Sequence, residues 1–290
     1  MPESTFAYLL VVPVLTCLVA VMLYPTLYSI WLSTQTVDLS INYWHWTGAS
    51  NYVQAWLDPQ VRGATVVTVE YTVYVTVLAI AVAVCGALLL NQRFKGNGFL
   101  VATAILPWSL STYAAGVLFR YLYLPGGFLN SFVIHIDSSF TPIPFISHNL
   151  VLLSIAVAHT WQVAPLGMLF IYAALQVIPE DLYRLAKTDG MTAIGRFAHV
   201  TWPYIRLPVA IFAVLVTGEA AKAFDIIFFM SGGGPGTASL DLVYEIYRQT
   251  FVNYQLGYGA AISYGLVAIV IVISTAYFIL ISRRRRTEAL

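Results

Sequence analysis

Apolar residues dominate six stretches of the chain. Each is long enough to cross a bilayer as a helix, which takes about 20 residues. They run from about Phe6 to Leu32, Val66 to Leu90, Phe99 to Tyr121, Leu150 to Leu175, Leu207 to Met230 and Tyr258 to Ile281. Pro107 interrupts the third and Pro165 lies inside the fourth. Prolines within a span are tolerated where neighbouring groups satisfy the freed carbonyls, so they mark kinks that face protein. The pattern predicts an all-α membrane protein with six transmembrane helices in a single domain over 1–290. Between spans four and five, residues 178–208 form the one long polar, basic stretch inside an otherwise apolar chain.

Composition strengthens this reading. Of 290 residues, 59% are hydrophobic and 9% charged, whereas soluble chains carry about 25% charged residues. The net charge of +1 supplies no field for nucleic acid. Cys17 and Cys85 sit in apolar runs, too few and too dispersed for a disulfide framework or a zinc site. The opening Met1-Pro2-Glu3-Ser4 lacks the basic region of a secretory leader, so the first apolar run is expected to be a retained span.

Lysines and arginines in short loops set orientation. Arg93 and Lys95 fall between spans two and three. Arg184, Lys187, Arg196 and Arg206 fall between spans four and five, and Arg283 to Arg286 follow span six. All lie on one side, the expected cytoplasmic side, so both termini are expected there. Arg62 and Arg248 are the basic residues of the opposite loops. The terminal arginine run reads either as a topology anchor or as a lipid-binding patch. Among the opposite loops, 34–64 carries Tyr43-Trp44-His45-Trp46, an interfacial aromatic cluster, and 122–149 is rich in turn residues.

The polar stretch has the chemistry of a short helix. Pro179 suits a first helical position. Glu180 and Asp181 complement the positive end and Lys187 the negative end, and Gly190 fits the residue just past the terminus. The spacing predicts a helix over 179–189 with Leu182, Leu185 and Ala186 on one face. A second short helix is expected near 192–200, ending before Pro203. Two readings stand: a loop helix lying in the lipid interface, or a handle for a cytoplasmic partner.

This stretch resembles the signature of the membrane permease subunits of binding-protein-dependent ABC importers. Asp189-Gly190 is intact, and Phe197, Pro203 and Pro208 stand where sugar importers carry them. The usual Glu-Ala-Ala reads Arg184-Leu185-Ala186, and Trp202 replaces the Leu before Pro. The missing acid leaves open any ion pair that the usual Glu would make. The run Ala223-Phe224-Asp225-Ile226-Ile227-Phe228-Phe229-Met230-Ser231-Gly232-Gly233-Gly234-Pro235 is similar to the carbohydrate-uptake branch. So are Tyr244-Glu245-Ile246-Tyr247, Leu256-Gly257-Tyr258-Gly259, Gly48-Ala49-Ser50-Asn51-Tyr52 and Gly127-Phe128-Leu129-Asn130.

The resemblance implies a type I importer permease in a bacterial plasma membrane, working in a hetero-oligomer. Its partners would be a second, unlike permease, two copies of a cytoplasmic ATPase and an extracytoplasmic solute-binding protein. ATP and Mg would be held by the ATPase, with no cofactor in this chain. Residues 178–208 would be the coupling loop, with Glu180, Asp181, Leu182, Arg184, Leu185, Ala186, Asp189 and Gly190 docking into the ATPase. The cargo would be a di- or oligosaccharide of trehalose or maltose type. A glycerol-phosphate permease of the same family is the alternative. Maltose-permease likeness places sugar contacts at Gln162, Glu219, Ala220 and Ala223.

The residues agree that the engine lies elsewhere. No Gly-x-x-x-x-Gly-Lys-Ser/Thr occurs in the chain, so it cannot cradle phosphates by that motif. Nor do the five scattered histidines form a metal motif; His159 is expected to be a hydrogen-bonded interior residue. Charges inside spans must face protein or water. Glu219, Lys222 and Asp225 recur at i, i+3 spacing and are expected to share a helical face. They read either as a packing salt-bridge string or as a hydrophilic wall for sugar hydroxyls. Trp161 could stack on a sugar ring or pack in the core, and Gln162 could exchange hydroxyl hydrogen bonds. Glu70, Ser109, Ser111, Thr112 and Arg120 complete the polar set. A stand-alone proton-coupled carrier using the Glu219–Asp225 face is the reading from a different class, and it would need no handle.

Overall fold

The computed structural model describes residues 3–92 and 96–287; Arg93 and Lys95 of the orientation argument lie outside them. The chain opens with α1 (Glu3–Leu18) and α2 (Tyr24–Ser33), then a hairpin of β1 (Gln35–Asp38) and β2 (Tyr43–Trp46). Helices α3 (Ser50–Leu57) and α4 (Pro59–Leu90) follow. Next come α5 (Asn97–Ala104), α6 (Leu106–Ser109), α7 (Thr112–Leu122) and α8 (Phe128–Ile136). The long α9 (Val151–Leu175) leads to α10 (Glu180–Thr188), α11 (Ala193–Arg196), α12 (Trp202–Ala221) and α13 (Asp225–Met230). The chain ends with α14 (Leu242–Tyr247) and α15 (Leu256–Thr287). Among the described residues, five helical segments are long and apolar enough to cross a membrane, six when the bent pair Asn97–Ser109 and Thr112–Leu122 is one span.

The chain divides into two compact units, one made of the residues up to Ala64 with Leu242–Ile269, the other of Thr65–Asp241 with the residues from Val270. In the first, β1 and β2 pair antiparallel with Gln35 opposite Trp46 and Asp38 opposite Tyr43. The buried Asn51 holds this turn of chain: its Nδ2 donates to the carbonyls of Ser33 at 2.9 Å and Gln35 at 2.8 Å. Tyr258 donates to Asp58 Oδ2 at 2.8 Å while Asp58 Oδ1 accepts from the Gln60 amide. At Gly257 any Cβ would run into the carbonyl of Gln35. The segment 34–64, expected as a loop between spans, thus holds an ordered hairpin and α3.

The second unit holds the apolar core. Tyr71, Val75, Ala79, Ala83 and Ala87 line one stripe of α4, and Ile155, Ile171, Ile205, Phe212 and Val216 line α9 and α12. Gly167 lets the Phe212 ring lie against α9, where a Cβ would collide with it. Segment 122–149, read as turns, contains α8. Asn130 fastens it by donating to Ile143 O at 3.0 Å and accepting from Ile143 N at 2.9 Å.

Two prolines are accommodated in a way the sequence did not suggest. A π-turn over Val19–Leu23 stands before Pro25, and another over Phe197–Thr201 stands before Pro203. A proline clashes with the carbonyl four residues back, which is Val21 in one case and His199 in the other. A π-turn is one of the local adjustments by which a helix accommodates the group a proline frees. The helix expected to end before Pro203 therefore runs on, and Ala193–Ala221 is one continuous span.

Candidate functional site

The loop helix forms where its chemistry demands. Glu180 and Asp181 occupy the first turn of α10 and Lys187 the last, which suits the helix dipole. Pro179 is the N-cap, extended at ψ 131°, rather than the first helical residue. At the other end, Gly190 at φ +71° donates to Lys187 O at 3.1 Å, and the Met191 amide reaches Ala186 O at 3.0 Å. This pair of bonds is a Schellman terminus, which a left-handed glycine makes without strain.

The apolar face differs from the expectation. Ala186 is buried and Leu182 half-buried, both against the core with Tyr183, whose hydroxyl lies 3.0 Å from Thr201 Oγ1. Leu185 is 61% exposed. At 100° per residue, Leu182 and Ala186 differ by only 40°, whereas Leu185 is rotated 60° the other way. The helix is thus seated by Leu182, Tyr183 and Ala186 and presents Leu185 outward. Arg184 pairs with Asp181 on the exposed side, and Asp189 and Gly190 are exposed as well.

A second polar locus lies where spans break. The two halves of span three, Asn97–Ser109 and Thr112–Leu122, meet at 96°. The break is displaced from Pro107 to Leu110 and Ser111, both extended with ψ of 144° and 148°. Ser111 Oγ caps α7 by accepting from the Ala114 amide at 3.2 Å. Gln162, in the middle of α9 and 7% exposed, donates from Nε2 to Leu110 O at 3.1 Å. Its Oε1 is buried without a partner.

Span five breaks too, contrary to the uninterrupted 207–230 expectation. Helix α12 ends at Ala221, Lys222 leaves helical geometry, and Asp225 opens α13. Glu219, Lys222 and Asp225 therefore do not share one helical face. Lys222 Nζ stands 3.3 Å from Glu219 Oε1, with both side chains more than 60% exposed. Ala220 is fully buried and Ala223 nearly so, both packed into the core, so in this conformation they face protein. Trp161 is half-exposed, with its ring edge against Phe119 at 5.2 Å. His159 is buried with Tyr71 Oη 2.8 Å from its Nδ1, the interior role expected of it. Among the described residues, no three His, Cys, Asp or Glu side chains converge as a metal site.

Helix α7 grips α13 through Arg120, already in the polar set, and through Tyr113 and Gly116, which the sequence does not single out. Tyr113 meets Phe229 edge-on at 4.3 Å, and a Cβ on Gly116 would stand 3.2 Å from Ile226 Cα. Arg120 Nη1 donates to Phe229 O at 3.1 Å. The polar triplet Ser109, Ser111, Thr112 just after Pro107 was the available signal.

Residues 71–287, which include both breaks and the loop helix, match the family described as binding-protein-dependent transport system inner membrane component. The chain belongs to that family. It is 29% identical over 289 residues to the trehalose/maltose transport system permease protein MalF of Thermococcus litoralis, covering 98% of this chain and 96% of the relative. It is 31% identical over 274 residues to the sn-glycerol-3-phosphate transport system permease protein UgpA of Escherichia coli, covering 93% and 92%. Its fold matches a chain in the crystal structure of a bacterial ABC transporter involved in the import of the acidic polysaccharide alginate. The TM-score is 0.81 at 19% identity, over 97% of this chain and 96% of the other. The permease has the type I ABC importer fold expected from the signature. It is a multi-pass inner-membrane transport subunit, not an enzyme, and works with a binding protein.

Proposed function

We propose that this permease forms half of the translocation path of an ATP-driven importer for a di- or oligosaccharide of trehalose or maltose type. The near full-length likeness to a trehalose/maltose permease carries the reading. Glycerol 3-phosphate, the cargo named for another relative, would call for a cation left available to its phosphate. At the breaks, Lys222 is engaged by Glu219 and Arg120 by the carbonyl of Phe229. Both side chains are exposed, and contacts of that kind are worth about 0–1 kcal/mol. The likeness and not the cations therefore decides for a neutral, hydroxylated cargo, met by Gln162 Oε1, Trp161, Glu219 and Lys222.

The second, unlike permease supplies the other half of the path. Two copies of an ATPase hold ATP and Mg below, and a solute-binding protein delivers sugar from above. Helix α10 docks into the ATPase through its exposed side, Glu180, Asp181, Arg184, Leu185, Asp189 and Gly190, with Leu182 and Ala186 keeping the helix seated. Both termini lie on the ATPase side. Closure of the ATPase pair turns the spans, and hydrolysis resets them.

The test is uptake by the whole importer in proteoliposomes. Trehalose or maltose uptake that requires both ATP and the binding protein supports the reading. Preference for glycerol 3-phosphate overturns the cargo. Accumulation by this chain alone, driven by a pH gradient without ATP, overturns the mechanism.

A further inference from the structure

A break in the middle of a membrane span leaves backbone carbonyls without helical partners. In hydrocarbon such groups have to be satisfied by protein or by water in a cavity. At the span-three break, the donor to Leu110 O is the side-chain amide of Gln162, buried on α9. On the far side of the break, α7 is fastened to α13 by three independent contacts. These are the close approach at Gly116, the Tyr113–Phe229 ring pair and the bond from Arg120 to Phe229 O. Helix α13 in turn is separated from α12 by its own non-helical break at 222–224. Helices α9 and α12 are packed together through Gly167 and Phe212.

The geometry points to a block, α7 with α13, hinged at 110–111 and 222–224 on a base of α9 and α12, and to Gln162 as the positioning residue that latches the first hinge. This rests on the transport reading above. Once released, Leu110 O has to be satisfied by water or by another protein donor. In this latch that partner is water from the path, which ties movement of the block to access.

The whole importer is reconstituted with Gln162→Met, which keeps the length of the side chain and removes the donor. Sugar transported per ATP hydrolysed should fall about tenfold, the effect of roughly one lost hydrogen bond at the hinge, while the complex still assembles. Gln162→His, which retains a donor of similar reach, should restore much of the ratio. A second readout follows the hinge itself. With the exposed Cys17 and Cys85 replaced by Ser, Ser111→Cys should label with a soluble maleimide at different rates in nucleotide-free and ATP-trapped complexes. Gln162→Met should erase that difference. If Gln162→Met does not assemble, Gln162→Leu, which also lacks the donor and carries no charge, takes the same measurements. An unchanged transport ratio with unchanged state-dependent labelling overturns the latch. Absence of ATP-driven uptake by the unsubstituted importer overturns the transport reading instead.

Discussion

Tyr71 Oη lies 2.8 Å from Nδ1 of His159, with the two rings stacked at 5.9 Å, and both residues are buried between α4 and α9. A polar pair in this position joins two spans, and removing one partner strands the other. Tyr71→Phe should destabilise the purified permease complex by about 1 kcal/mol, between the water and membrane values for such bonds. Tyr71→Phe with His159→Leu should recover part of that loss, because no polar group is left stranded. A thermal melt in detergent reads both; a Tyr71→Phe melt equal to the parent refutes the coupling.

Asn51 is placed so that only an amide serves. Its two N–H groups face the carbonyls of Ser33 and Gln35 from a buried position. Asn51→Asp sets a carboxylate against those two oxygens and should cost about 3–5 kcal/mol, as for an uncompensated buried charge. Loss of the hairpin should show as faster proteolysis within 35–57. Acidification should soften the effect, since the protonated acid regains one donor. Wild-type protease resistance of Asn51→Asp at neutral pH counts against the clamp.

Two helical glycines separate packing from composition. A Cβ at Gly167 collides with the Phe212 ring, whereas a Cβ at Gly218 meets nothing within 4 Å. Gly167→Ala should destabilise by about 1–3 kcal/mol through overpacking. Gly218→Ala should be neutral or stabilising by up to about 1 kcal/mol through helix propensity. Equal melting temperatures for the two variants would contradict the packing of α9 on α12.

The loop helix was legible because its determinants are local: acids in the first turn, Lys187 in the last and Gly190 after it. That the chain carries several apolar spans was legible from length and hydropathy alone, though where spans three and five break was not. Tertiary features were not. The i, i+3 spacing of Glu219, Lys222 and Asp225 is that of a helix face, yet the helix stops at Ala221 and α13 packs instead on α7. Ala220 and Ala223 could be placed near the path by likeness, but which way a small apolar residue faces is decided by its neighbours. In the sequence Asn51 and Asn130 stand only as members of family-like strings. Their reason is physical: each amide satisfies backbone groups at a chain reversal, which only the folded contacts reveal.

Leu185 is the sharpest point at which the loop helix can be tested. It is an exposed aliphatic residue on a helix whose seat is made by Leu182, Tyr183 and Ala186. Changing it should leave the permease's own stability within about 0.5 kcal/mol, as for a surface site. If Leu185 fills an ATPase groove, Leu185→Asp removes a central anchor and should weaken association by about 2 kcal/mol or more, roughly 30-fold. Arg184 gives the control. Its pair with Asp181 is exposed on both sides and is worth about 0–1 kcal/mol, so Arg184→Ala should not unfold the loop. Any loss of ATPase affinity in Arg184→Ala then reports a partner acid facing Arg184. Co-purification of the ATPase with each variant, followed by ATP-dependent uptake, measures the two effects separately. Leu185→Asp that retains both ATPase and uptake would remove α10 from the coupling path.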